Sequence, residues 1–347
     1  MKILLNGYFY KNLGDDLFFH LITDRYPQHT FYVPVHADHA GAYTGRKNVK
    51  ILPQTKWKRG MDKVFRKFCP QLVSTARLAR RTDLGVLIGG SLFQETVPGA
   101  MERLVRMPRH PKGQYIMGIN FGPHKTQAYV DACARYLESA QDVCFRDAAS
   151  YEQFADLPNT RLGSDLVFGI RSLCPPASQT ENTCVISVMD FASNASLAPY
   201  AEDYFCFLRR VIAQQTQQGR KVILLSFCAH EGDERAIEQL LSQCPQEVHR
   251  LCYDGRNYAQ ICSCISSASC LIASRFHSVV LGLAYGVPTV PISYSNKTLQ
   301  LLQDLGQEAI CPDMLASTTQ LHPIPALDMT PWVAKAQLHF AALDERS

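Results

Sequence analysis

Short apolar runs of β character alternate with helix-like stretches along almost the whole chain, and this alternation restricts the fold more than any other feature. KILLN (2–6) reads as a buried strand, followed by a helix over DLFFHLITDRY (16–26) that Asp15 or Asp16 starts and Pro27 stops. FYVPV and VKILP are further strands, and LGVLIGG (84–90) is a strand running into a glycine turn. QYIMGIN (114–120) and DVCFRD (142–147) are strands flanking a helix over 126–140. This strand–helix order is that of a parallel sheet with helices on both faces.

The pattern lapses at RSLCPPASQTENT (171–183), which has no periodicity and reads as a linker. It then restarts. CVISVM, KVILLSF, VHRLCY, CLIAS and VPTVPIS read as strands, separated by helices such as YAEDYFCFLRRVIAQQTQQG, ERAIEQLLSQC and YAQICSCISSA. A helix over NKTLQLLQDLG comes next, and the last one, PWVAKAQLHFAALDER, is expected to cross back to the first domain. The expected fold is therefore α/β, with two Rossmann-like domains, 1–172 and 182–347, facing a cleft. A chain of 347 residues, 46% hydrophobic and 19% charged, suits two soluble domains of this kind.

Composition narrows the function classes. No apolar run is long enough to span a bilayer, and MKILLNGYFYKNLGDD turns polar too early for a signal peptide, so a cytoplasmic protein is expected. Of the 13 cysteines, Cys184, Cys228 and Cys270 sit in apolar runs and read as reduced core residues. There is no Cys-x-x-Cys, and Cys262, Cys264 and Cys270 have no histidine at zinc-ligand spacing, so no metal is expected. The net charge of +4 is uneven: residues 55–81 hold nine Lys/Arg and one Asp, which leaves −4 for the remainder. Trp57, Phe65 and Phe68 interleave with those cations. The stretch reads either as a contact with an anionic membrane or as a solvated helix face, with no nucleic-acid partner.

The chemistry concentrates at strand ends. ASRFHSVVLGLAYGVPTV (273–290) places Arg275 and His277 at the start of an apolar helix, where the helix dipole disfavours cations unless an anion is bound. Ser274 is expected to cap that helix, with Arg275 and His277 on one side and Phe276 in the core. Arg146 ends the DVCFRD strand, as a second cleft cation or as a surface partner of Asp147. Asp165, in GSDLVF, orients one of the arginines or caps a helix. In the loop after the first strand stand Asn12, Gly14, Asp15 and Asp16. One aspartate caps the helix, and the other is left for general base work or sugar hydroxyls. That loop lacks G-x-G-x-x-G and G-x-x-x-x-G-K-[ST]. Gly89 and Gly90, in IGGSLFQE, allow close backbone approach to a ligand, and Glu95 adds a carboxylate.

Taken in order, NLGDD, IGGSLF, FRDAASYEQF, SDLVF and SRFHSVVLGLAYGVPTVPISYSNK resemble the polysaccharide pyruvyl transferase family over most of the chain. The pattern S-R-F-H-x(8)-G-V-P-x(5)-Y-x-x-K is its most specific part. The sequence departs at YFYKN (8–12), where the family is usually richer in glycine. The resemblance implies a GT-B-like fold, phosphoenolpyruvate as co-substrate without a further cofactor, and a cyclic pyruvyl ketal on a sugar. It implies that Arg275 and Arg146 fork onto the donor's carboxylate and phosphate, with the Phe276 and His277 N–H groups completing the cradle. His277 is then the general acid. Lys297 adds charge at the phosphate, or is a solvated surface lysine. Acceptors of such transferases are often lipid-linked saccharides, so a place at the inner membrane face fits. Two other readings stand beside this one: a GT-B glycosyltransferase using a nucleotide sugar, and a non-enzymatic protein that binds anionic saccharides.

Overall fold

The computed structural model describes residues 1–55, 74–96, 98–178, 182–244 and 247–347. They form two compact units. Unit 1 comprises Met1–Tyr10, Asp15–Leu166 and Pro331–Ser347, and unit 2 comprises Lys11–Gly14 and Val167–Thr330. Of the basic stretch 55–81, residues 56–73 lie outside the described residues, and with them the expected membrane contact.

Unit 1 is built on a seven-stranded parallel sheet. Its strands are β1 (Lys2–Asn6), β2 (Thr30–His36), β3 (Val49–Gln54), β4 (Leu84–Ile88), β5 (Gln114–Ile119), β6 (Asp142–Phe145) and β7 (Thr160–Leu162). They lie in the order β3-β2-β1-β4-β5-β6-β7. Helices α1 (Leu13–Arg25), α2 (Ser74–Arg81), α3 (Ala100–Val105), α4 (Gln127–Glu138) and α5 (Ala148–Glu152) connect them. The strands β4, β5 and β6 are buried along their whole length. This is why they read as continuous apolar runs rather than alternating ones.

Unit 2 repeats the scheme with five parallel strands, β8 (Thr183–Ser187), β9 (Lys221–Ser226), β10 (His249–Cys252), β11 (Cys270–Ala273) and β12 (Thr289–Pro291). Their order is β10-β9-β8-β11-β12. Its helices are α6 (Ala201–Gln217), α7 (Asp233–Gln243), α8 (Tyr258–Ser266), α9 (Phe276–Tyr285) and α10 (Asn296–Asp304). Apart from His277, every residue of α9 is buried. That is the expected state of a helix that is apolar on all sides. In each sheet the strand order reverses once, between β1 and β4 in unit 1 and between β8 and β11 in unit 2. The connections leave in opposite directions there, and open α/β sheets bind ligands at the carboxyl ends of such strands.

Residues 167–178 are not a free linker before the second domain but part of unit 2. Arg171 Nε donates to the carbonyl of Ala284 (2.7 Å), and the Tyr285 hydroxyl donates to the carbonyl of Cys174 (3.0 Å). These bonds fasten the segment to the end of α9, so the chain changes unit before residue 172.

The chain end, α11 (Thr330–Gln337), a 3-10 turn (Leu338–Phe340) and α12 (Ala341–Asp344), packs in unit 1 from Pro331 onward. His339 fastens it. The ring is fully buried, its Nδ1 accepts from the Gly118 N–H (3.2 Å), and its Nε2 donates to the carbonyl of Ser164 (2.6 Å). Only a neutral imidazole makes both bonds, and burial lowers its pKa from 6.5 to about 4. A depressed histidine stabilises the fold above its unfolded pKa, and that contribution is lost as pH falls from 6.5 toward 4. Between pH 7.5 and pH 5 the loss from this group is about 2 kcal/mol. Denaturant unfolding at the two pH values should show this drop in the native protein and a drop smaller by that amount in His339→Gln. An equal drop in both would refute the assignment.

Candidate active site

In unit 2 the site is organised around Arg275. It follows β11 and occupies the position before α9, with φ −90 and ψ 140. Ser274 is not the cap: its hydroxyl is held by the Tyr204 hydroxyl at 2.8 Å. Instead the Arg275 N–H donates to the hydroxyls of Ser187, at the end of β8, and of Ser278 (3.1 and 3.2 Å). The strand-order reversal is thereby tied to the helix start.

The Arg275 side chain does not face an open cleft. It is 7% exposed, and its guanidinium forks onto Asp233 through Nε and Nη2 while Nη1 bonds Glu231. Asp233 is fully buried and also accepts from the N–H groups of Phe227 and Cys228, both at 3.0 Å. Burial works against the arginine's charge, and the charges on Asp233 and Glu231 overcome it, raising its pKa. Burial likewise pushes the Glu231 carboxyl up, but Arg275 more than offsets this and holds it below its usual range. At Asp233 burial outweighs the attraction of Arg275 and raises its carboxyl pKa, and the Lys297 charge also lowers Glu231. The expected use of Arg275, forked onto a donor anion, therefore does not fit: the carboxylates already fill the fork.

Glu231 also accepts from Asn12 Nδ2 (3.1 Å), and Asn12 Oδ1 accepts from the Gly14 N–H (3.1 Å). Asn12, rather than Asp15 or Asp16, thus satisfies an N–H of the first turn of α1. Gly14 lies flat against the His277 ring, and a Cβ there would fall on Nδ1. Only glycine permits that approach. Phe276 and His277 are the first two residues of α9, and Phe276 is buried as expected. Lys297, second in α10, is half-buried, with its Nζ 5.2 Å above the Phe276 ring and 5.6 Å from that of Tyr294. It is not a plain surface lysine, and no carboxylate lies within ion-pair reach of it among the described residues. Unit 2 thus assembles Asn12, Gly14, Glu231, Asp233, Arg275, Phe276, His277 and Lys297.

Unit 1 has its own constellation at its strand ends. Arg146, after β6, is 5% exposed and pairs with Asp165 (3.0 Å) and with the side-chain oxygen of Asn120 (2.5 Å). Asp165 therefore orients Arg146. The Asp147 carboxylate is engaged locally, accepting from the Ser150 N–H (2.8 Å) at the start of α5. Asn120 also accepts from Ser91 (3.1 Å). Gly90 rests on the guanidinium, and a Cβ there would come within 2.5 Å of Nη1. Gly89 has φ 142, which a side chain rarely tolerates. Asp15 accepts from the Gly90 N–H at 3.5 Å.

Two expected carboxylates are used elsewhere. Asp16 is fully buried and accepts from the Tyr43 hydroxyl (2.6 Å). Glu95 accepts from the Thr126 N–H (2.7 Å), the Thr126 hydroxyl (2.5 Å) and the Lys125 N–H. It secures the start of α4, an arrangement the helix dipole favours. The sequence reading did not single out Glu231, Asp233 or Asn120. All three follow predicted strands, in HEGDE after KVILLSF and at the end of QYIMGIN, so the rule that found Arg275 applied to them too. Among the described residues no group of three or more His, Cys, Asp or Glu is placed to hold a metal ion, and no helix is long and apolar enough to cross a membrane.

Comparison with known proteins extends this picture. Over 258 residues, 68% of this chain, the sequence is 22% identical to the amylovoran biosynthesis protein AmsJ of Erwinia amylovora. The match spans 62% of that protein's length. Among solved structures, the chain is similar to Anabaena Alr3699/HepE, determined in complex with UDP-glucose, with 13% identity and a TM-score of 0.53 over all of this chain and 95% of that one. It is also similar to the UDP-GlcNAc 2-epimerase of Methanocaldococcus jannaschii, with 7% identity and a TM-score of 0.55 over 99% and 100% of the two chains. Likenesses so distant in sequence show the fold alone, that of GT-B glycosyltransferases and epimerases. The sequence pattern of the polysaccharide pyruvyl transferases matches residues 12–296, and it is to this family that the chain belongs.

Proposed function

We propose that the protein transfers the pyruvyl group of phosphoenolpyruvate to two hydroxyls of a saccharide, forming a cyclic ketal and releasing phosphate in the assembly of an exopolysaccharide. Besides family membership, the observation that carries this reading is the seat of His277. Its ring lies on the Gly14 backbone in the first turn of a buried helix, with the Lys297 ammonium over the adjacent Phe276 ring. A proton-bearing imidazole, a helix start and a cation with no described carboxylate in direct ion-pair contact suit a small dianion.

In this scheme imidazolium His277 gives its proton to the methylene carbon of phosphoenolpyruvate, which makes C2 electrophilic. One sugar hydroxyl adds to C2 and gives up its proton. A second then displaces phosphate from the same carbon and closes the ring. Atoms balance without water: diol plus phosphoenolpyruvate yields ketal plus phosphate. Lys297 and the helix start hold the phosphate. Arg275 acts one step back, holding Glu231 and the helix entrance in place. Arg146, neutralised by Asp165, supports the Gly89–Gly90 turn. The sugar bearing the diol is proposed to be lipid-linked.

Phosphoenolpyruvate should raise the thermal stability, by about 2.7 kcal/mol at a hundredfold excess over Kd, and UDP- or GDP-sugars should do so far less. Stabilisation by a nucleotide sugar alone would favour glycosyl transfer instead. His277→Ala should fold and lose about 10²–10⁴ in turnover, the usual span for general acid–base catalysis. Near-native turnover would make the ring structural. Arg275→Ala should act first on stability, by about 3–5 kcal/mol, because it strands Asp233 as a buried unpaired charge. A fully stable Arg275→Ala protein that has lost only phosphoenolpyruvate affinity would return Arg275 to the donor site.

A further inference from the structure

At the amino ends of β4 and β5, the sheet edge opposite the strand ends that carry Arg146, unit 1 gathers cations around an exposed apolar side chain. Residues 103–113, RLVRMPRHPKG, run from the last turn of α3 to β5 with three arginines, one lysine and no carboxylate. Arg103, Arg106, Arg109 and Lys112 are all exposed. So are Arg77, Arg80 and Arg81 of α2, which leads into β4. Two contacts join the segments: Lys112 Nζ donates to the Thr82 carbonyl (2.9 Å), and the buried His110 ring bonds the Thr82 hydroxyl (3.0 Å). The Tyr136 hydroxyl donates to the Pro108 carbonyl (2.7 Å), and its ring lies 5.1 Å from the Arg109 guanidinium, so the surface is preformed. None of these seven cations is ion-paired with a described residue. Of the two carboxylates close by in sequence, Asp83 accepts from the Lys2 N–H (2.8 Å), and Glu102 leans toward Gly99 at the other end of α3. Residues 77–83 and 102–112 together carry +5. The negative ends of α2 and α3 favour Arg80, Arg81, Arg103 and Arg106 where they stand. They do not explain Val105, which lies between two of those arginines. At 73% it is the most exposed large apolar side chain among the described residues.

We propose that this face docks on an anionic lipid surface, with Val105 entering the headgroup–acyl boundary and the surrounding cations at the lipid phosphates and carboxylates. A leaflet of acidic lipids is a sheet of negative charge, and each basic residue close to it adds to binding. An apolar tip ringed by long cationic side chains suits such an interface, because their stems cover apolar surface while their charged heads stay in water. Duplex nucleic acid would answer the charge through its phosphates, but it offers Val105 no apolar phase. Docking by this edge leaves the carboxyl ends of the unit 1 strands uncovered. The proposal does not rest on the transferase reading.

Co-sedimentation of the full chain with vesicles tests this, using phosphatidylcholine alone and phosphatidylcholine mixed with phosphatidylserine. At low salt the mixed vesicles should bind the protein and the neutral ones should not, and added salt should release it. Arg103→Ser/Arg106→Ser should weaken binding about 25-fold, at roughly fivefold per cation. Lys221→Ser/Arg250→Ser removes the same charge from exposed positions of unit 2 and should change binding by less than about twofold. Arg103→Lys/Arg106→Lys, which keeps both charges, should bind like the native chain and so separates lost charge from lost folding. Val105→Ser should weaken binding by about threefold to tenfold, the scale of losing two methyl groups from an apolar contact. Equal binding to both vesicle types, native affinity in Arg103→Ser/Arg106→Ser or in Val105→Ser, or equal losses in the two serine double variants would each overturn the proposal. A DNA duplex held more tightly than the mixed vesicles at the same salt would also overturn it, in favour of a nucleic-acid surface.

Discussion

The buried pair between Arg275 and Asp233 is the constraint on which unit 2 depends. A guanidinium at 7% exposure and a carboxylate at 0% are stable only together. Satisfying them recruits the end of β9 through the Phe227 and Cys228 N–H groups and Asn12 through Glu231, while the Arg275 backbone N–H ties in the end of β8 through Ser187. Arg275 thereby joins the carboxyl ends of β8 and β9 to the entrance of α9. The helix entrance then sets His277, and Gly14 sets the plane of its ring.

The same pair explains where sequence reading stopped. Strand and helix alternation was legible because fully buried parallel strands must be apolar on both faces, and β1 (Lys2–Asn6) stands where KILLN was read. The carboxyl-end rule also led correctly to the loops that carry Arg146, Arg275 and Gly90. Side-chain partners were not legible. Asp233 and Glu231 lie 42 and 44 residues from Arg275, and no local spacing announces that pairing. Asp16 looked like a helix cap because Asp before an apolar run usually is one, but Tyr43, 27 residues away, claims it. Strand neighbours were likewise silent in the alternation, since the reversals between β1 and β4 and between β8 and β11 are set by crossover direction rather than by composition.

The chemistry asks for one group that moves a proton and one that stabilises negative charge, in a place water does not control. In the proposed scheme His277, at the start of the buried helix α9, is assigned the proton and Lys297 the negative charge, with the network around Arg275 positioning the helix entrance. Division of labour of this kind, with the best-paired charges used for positioning, is common where a site must stay rigid.

Proton delivery to the donor's methylene carbon separates this account from every transfer of a preformed sugar. The direct measurement is the reaction in D₂O with phosphoenolpyruvate and a saccharide diol, followed by NMR of the product and of phosphate. The account predicts a ketal methyl carrying one deuterium and one phosphate released per ketal. A product without that methyl group, or a methyl formed without deuterium, would contradict it.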